Sequence, residues 1–292
     1  MFAQQLFNGL VLGAVYALFA IGYTLVFGVL DILNLAHAAI FTAAAFIAFS
    51  LAAAGVPLPL AFLIAAFAAG LLGILLDLVA FAPLRKRNAG TLVPLRSSIG
   101  VAIIIGAALR YFYGVDERHF SMGKLDATPL HAGPVTFTTL ELAIFGAAIV
   151  LMILLSYVMR ATTLGRQIRA VAEDRVAAAL LGVDLQRTIS ATFFIAAALG
   201  GAAGILTGLE YNSVTIDMGG PIELKGLAII ILGGMGSVTG AVIGGFVLAA
   251  VETLAIAYGL SEWRDAVLFG VMFVILVARP TGLFGKRTLR KA

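Results

Sequence analysis

Apolar residues in this chain fall into long uninterrupted runs, not the short alternation of a half-buried strand or the three-to-four spacing of a surface helix. The runs cover about 7–29, 38–54, 58–82, 98–114, 139–159, 190–209, 225–258 and 264–279. A helix needs roughly 20 such residues to cross a hydrocarbon core. The pattern therefore predicts an all-α, polytopic membrane helix bundle of about eight spans, built as a single transmembrane domain over residues 1–292.

Two runs carry interruptions. In GVLDILNLAHAAI, residues 28–40, Asp31, Asn34 and His37 break an otherwise apolar stretch. In ILGGMGSVTGAVIGG, residues 231–245, six glycines, Gly233, Gly234 and Gly236 among them, accompany Ser237 and Thr239. Backbone unwinds at membrane depth only where protein or water satisfies the freed groups. Each break is either a cytoplasmic turn between two spans or a discontinuous helix inside the bundle, and the second reading is preferred. Interrupted segments near both ends of a transporter point to its pathway. Asp31, Asn34, His37, Gly233, Gly234, Gly236 and Ser237 are therefore translocation-pathway candidates. Pairs of glycines four apart, Gly9 and Gly13, Gly200 and Gly204, Gly236 and Gly240, are read as close helix packing.

Charge orients the bundle. Fourteen of the 19 Lys and Arg lie in three stretches: Arg85, Lys86, Arg87 and Arg96; Arg160, Arg166, Arg169, Arg175 and Arg187; and the tail from Arg279 to Lys291. The positive-inside rule puts all three in the cytoplasm. The loop 115–138 and the stretch Glu210–Glu223 then face outside. No Lys or Arg precedes Arg85, so charge leaves the side of the N-terminus open.

The segment 160–189 differs from everything around it. Leu164, Ile168, Val171, Val176, Ala179, Leu180 and Val183 form one apolar stripe, while Arg166, Arg169 and Glu173 fall on another face with Asp174 at its edge. Thr163 is the expected N-cap and Gly182 the expected terminator. The helix is too short and too charged to span. Solvated loop, lipid-surface and docking readings compete, and a docking helix fits the stripe and charged flank best.

Composition removes other classes. With 62% hydrophobic and 12% charged residues, and a mean hydropathy of +1.09, the chain cannot cover a soluble surface. It has no cysteine, and its three histidines are far apart, so no thiolate or His/Glu metal site is expected. The net charge of +4 bears on orientation at a membrane lipid surface and not on nucleic acid. The N-terminus lacks a basic region and is read as part of the mature fold.

Several stretches, taken in order, carry a resemblance. GRQIRAVAEDRVAAALLGVD resembles the cytoplasmic coupling segment of ABC importer permeases of the branched-chain amino acid class. NGLVLGAVYALFAIGYTLVFGVLDILNLAHAAIFTAAAF resembles that family's opening, with Ala38 where the family usually has glycine after the histidine. ILGGMGSVTGAVIGG and ARPTGLFG are similar to its late glycine-rich signature and its C-terminal end. The likeness covers almost the whole chain and identifies a LivH-type permease subunit. It implies Gly165, Arg166, Arg169, Glu173, Asp174, Ala178 and Gly182 as ATPase-coupling residues. It also implies a second homologous, LivM-like permease, two cytoplasmic ABC ATPases carrying ATP and Mg, a periplasmic substrate-binding protein and a bacterial inner membrane. The chain contains no G-x-x-x-x-G-K-[ST] loop, so it is read as a transport subunit without cofactor or catalytic residue of its own.

Ionisable groups within spans are costly and are functional candidates by default. Glu252 is a pathway candidate, with a hydrogen bond between helices as the plainer reading. Asp77 is read as pairing with Arg85. Branched-chain amino acids are the expected substrates, with urea or short amides as the alternative. An ion-coupled secondary transporter using Asp31, Asp77 or Glu252, and a passive channel constricted at 233–240, are the rival mechanisms.

Overall fold

The computed structural model describes residues 2–87, 89–90, 92–120, 129–132, 135–279 and 281–285. In chain order the α-helices are α1 (Phe2–Leu30), α2 (His37–Ala53), α3 (Leu58–Leu76), α4 (Ala82–Lys86), α5 (Leu92–Tyr113), α6 (Thr139–Ala161), α7 (Thr163–Glu173), α8 (Arg175–Leu180), α9 (Leu185–Glu210), α10 (Gly219–Gly233), α11 (Val238–Ala257) and α12 (Arg264–Ala278). A π-helical turn, Asp77–Phe81, makes α3 and α4 one continuous rod. A small antiparallel hairpin, β1 (Pro129–Ala132) with β2 (Val135–Thr138), is the one sheet among the described residues.

Helices α1 and α9 form the centre, with 83% and 72% of their apolar windows buried, against 17% for α5 and α6 at the periphery. Small residues let the central helices touch. A side chain on Gly204 would strike the Phe41 carbonyl of α2, one on Gly73 the Phe193 carbonyl of α9, and one on Gly13 the Phe246 ring of α11. In lipid, where apolar surface gains little from leaving the solvent, such close van der Waals approach is what holds helices together.

The basic residues Arg85, Arg160, Arg175 and Arg279 mark the inner end. The opposite end settles the question that charge left open. The Gln4 side chain makes two hydrogen bonds to the Thr136 backbone, at 2.7 and 2.8 Å, so the N-terminus lies with the outer hairpin.

Among the described residues six helices are long and apolar enough to cross a membrane: α1, α3 with its continuation to Lys86, α5, α6, α9 and α11. Helix α2 is shorter, at 17 residues, and α10 and α12 have 15 each. The run 225–258, which reads as one interrupted span, is two antiparallel helices. Helix α10 also begins earlier than the sequence suggests. Gly219–Glu223, expected in an outer loop, forms its first turn, packed so closely that a side chain on Gly219 would meet the Ala38 carbonyl.

The two breaks take different forms. Helix α1 continues to Leu30 at the inner end, yet His37, the first residue of α2, packs on Phe19 (4.9 Å) and Tyr23 (5.5 Å) of α1. Phe19 lies about 16 Å up the helix axis from Leu30 at about 1.5 Å per residue. The chain therefore rises through Asp31–Ala36 and starts α2 inside the bundle, as the discontinuous reading expects. The second break is a turn at the inner end. Gly234 and Gly236 adopt φ of 97° and 83°, and Ser237 caps α11 by accepting from Gly240 N at 3.0 Å. The chain after α12 closes over this turn through Leu283 N to Leu232 O (2.8 Å) and Phe284 N to Gly233 O (3.1 Å).

Candidate functional site: an inner docking helix and an outer cavity

The charged segment is two helices, not one. Thr162, one residue earlier than expected, caps α7 by accepting from Gly165 N at 3.1 Å. Gly165 lies so close to the Val158 and Met159 backbone of α6 that no side chain fits there. Ile168 and Val171 are buried. The Arg169 guanidinium donates to the Met159 carbonyl, while Arg166 and Glu173 are exposed. At Asp174 the backbone is extended, and its carboxylate accepts from Val176 N (2.8 Å) and Ala177 N (3.0 Å) to start α8.

That kink splits the apolar stripe. Its first half packs on the bundle. On α8, Ala178 is buried, but Val176, Leu180 and Leu181 are 71%, 84% and 83% exposed. Gly182 (φ 82°) ends the helix, with Gly182 N bonded to Ala179 O and Val183 N to Ala178 O. That pair of bonds is a glycine-terminated helix stop. From the same short helix Arg175 reaches back to donate to the Val29 carbonyl at 2.8 Å, two residues before the first break. Just beyond α8, Asp77 accepts from Arg85 (2.5 Å), Gln186 (3.0 Å) and Ser190 (2.7 Å), fastening α4 to the start of α9. The expected Asp77–Arg85 pair is thus present, within a larger network.

A cavity of about 750 Å³ opens between α2, α5, the turn Ile216–Met218 and α10. Leu35, Ala38, Thr42, Ile103, Arg110 and Glu223 are among its lining residues. At the outer end Arg110 pairs with Asp217 at 3.1 Å.

None of the pathway candidates lines this cavity. Asp31 is exposed with φ 54°. Asn34 is buried, and its side-chain oxygen accepts from Ala36 N at 3.2 Å, shaping the turn into α2. His37 is buried beside Gly22 and Gly200, with Nε2 unpartnered among the described residues. The neighbours Leu35 and Ala38 do reach the cavity. Gly233, Gly234, Gly236 and Ser237 form the inner turn.

Glu252 is buried away from the cavity, bonded to Lys225 Nζ (2.6 Å) and Tyr16 Oη (2.8 Å), while Lys225 also donates to Tyr16 at 2.8 Å. This triad links α1, α10 and α11, the interhelical hydrogen bond that was the plainer expectation. Sequence reading missed Lys225 and Glu223. The available signal was their position beside Glu252's run, two charges where an apolar helix begins.

The family model described as "Branched-chain amino acid transport system / permease component" matches residues 5–276. The chain belongs to this family. Relatives of this permease family match along nearly its whole length. The high-affinity branched-chain amino acid transport system permease protein LivH of Salmonella typhimurium is 33% identical over 304 residues, covering 99% of this chain and 97% of its own. BraD, the corresponding permease protein of Pseudomonas aeruginosa, is 33% identical over 302 residues, covering 99% and 98%. A partial match, 29% identical over 136 residues and 44% of this chain, is the autoinducer 2 import system permease protein LsrC of an Enterobacter species. No solved structure matches this chain. Family and fold together make it a multi-pass membrane transport component and not an enzyme.

Proposed function

We propose that this chain is the LivH-type permease subunit of an ATP-driven ABC importer for leucine, isoleucine and valine in a bacterial inner membrane. It forms half of the translocation pathway, the other half coming from a LivM-like permease. Two cytoplasmic ATPases bring ATP and Mg, and a periplasmic binding protein delivers substrate. The observation that carries this reading is α8, whose Val176 and Leu180, with Leu181 just after them, are exposed at the basic, inner end, outside the long apolar helices. An apolar helix face held out beyond the membrane fits a groove on a soluble partner.

The coupling residues then divide by role. Gly165 and Arg169 anchor α7 to α6. Asp174, Ala178 and Gly182 set the direction and length of α8. Arg166 and Glu173 supply its charged rim. Movement of α8 reaches the pathway through Arg175 and the Val29 carbonyl. That contact lies at the foot of the break whose far end, Leu35 and Ala38, forms cavity wall. The ion-coupled rival is weaker, because Asp77 and Glu252 are each held by donors from the chain itself and Asp31 is exposed away from the cavity. The test is co-purification of the tagged chain with its partners in mild detergent. Leu180→Asp is expected to shed the ATPases while retaining the second permease. Retention of the ATPases by that variant, or isolation of the native chain alone, overturns the reading.

A further inference from the structure

Asp77, Glu223 and Glu252 lie along the apolar rods, and their surroundings differ. Asp77 takes three donors and Glu252 two. Glu223 has neither arrangement: its Oε1 is buried with no hydrogen-bond partner among the described residues. Glu210, also with one unpartnered oxygen, ends α9 at the outer boundary and does not line the cavity, whereas Glu223 does.

Among the described residues no cation pairs with Glu223. Lys225 is two residues along α10, hence on another face, and is bound to Glu252 and Tyr16. Arg110 lines the same cavity but pairs with Asp217 at 3.1 Å. A carboxylate left without a partner in an apolar region is expensive and marks a ligand path. A positive charge that enters the cavity would meet this carboxylate without displacing a hydrogen-bond partner of Oε1 among the described residues. Around Glu223 the wall is mostly aliphatic, with Leu35, Ala38, Ile99 and Ile103, and Thr42 adds a hydroxyl. A volume of about 750 Å³ falls within the range of about 300–1,000 Å³ usual for small-molecule sites.

We propose that Glu223 is the counter-charge for the α-ammonium group of an amino acid bound in the cavity between α2, α5 and α10, whose aliphatic wall takes the substrate side chain. The assignment rests on the importer reading above and sharpens it. An uncharged amide or urea can donate an N–H to Glu223 but brings no compensating charge, so it gains less there than an ammonium group. A charge-assisted hydrogen bond from the ammonium group restores what burial removed from the carboxylate.

The test uses the complete importer, both permeases with ATPases and binding protein, in proteoliposomes loaded with ATP. Glu223→Gln removes the charge at nearly constant volume and is expected to lower leucine uptake about tenfold or more, the cost of one charged hydrogen bond. The variant is expected to assemble with the second permease and the ATPases as the wild type does, whereas a merely structural role would depress assembly together with uptake. Glu223→Asp, which keeps a cation partner, retains uptake between the two. Wild-type uptake by Glu223→Gln overturns the assignment, as does loss of the second permease from that variant, which would give the charge to the subunit interface. A wild-type complex that takes up no leucine overturns the importer reading itself.

Discussion

The two interruptions, Asp31–Ala36 and Gly234–Ser237, both place polar or glycine residues inside apolar sequence, and the chain resolves them in opposite ways. At the first, Asn34 folds its side chain onto Ala36 N and a new helix starts within the bundle. At the second, two glycines with positive φ reverse the chain at the inner end. The difference lies in what satisfies the backbone. A side-chain cap travels with the chain and serves at any depth. A glycine turn leaves carbonyls and amides for neighbours, here the Leu283–Phe284 backbone. The first break runs from the Arg175–Val29 contact with α8 to the cavity wall at Leu35 and Ala38, whereas the second secures α10 against α11.

The contrast breaks most sharply at Gly234. Gly234→Ala puts a side chain at φ 97° against the Gly285 backbone, and is expected to destabilise by about 3 kcal/mol or more. Thermal unfolding in detergent would show it as a large drop in Tm, and an unchanged Tm would remove the rigid-turn account. A smaller loss is expected at the first break. Asn34→Ala leaves the buried Ala36 amide without its acceptor, costing about 1–3 kcal/mol. The same experiment measures it, with Asn34→Asp, which keeps the acceptor, falling between. The smallest effect has the opposite sign. Asp31 holds φ 54°, so Asp31→Gly relieves a left-handed conformation and is expected to leave Tm unchanged or raise it by the equivalent of less than about 1 kcal/mol. A substantial loss there would mean that the carboxylate, and not the backbone, shapes the break.

Much of this was legible from residue order. The spans, the basic inner end and the outer loop follow from runs and charge, as does Gly182 as a helix stop. The charged segment 160–189 was legible as amphipathic but not as kinked. A period of 3.6 residues continues through Asp174 in the sequence, and nothing in that pattern says the carboxylate will cap a new helix instead of lying on the old one. Glu223 was legible only as a polar residue in an outer loop, because glycines and a proline before it look like the end of a loop. In the folded chain Gly219 is small enough to pack against Ala38 and draw that turn inside.

What the sequence determined by itself is what each residue does with its immediate surroundings: apolar runs leave water, most lysines and arginines gather on one side, serine and threonine cap, and glycine turns. These are local free energies, set by side-chain chemistry and a few neighbours. What only the tertiary structure decided is which charges meet. Tyr16, Lys225 and Glu252 stand 209 and 27 residues apart in the chain and close one triad, while Glu223, two residues from Lys225, is left facing a cavity. Inside a membrane an ionisable group is judged by its partner, and a partner supplied by another helix is fixed by packing alone.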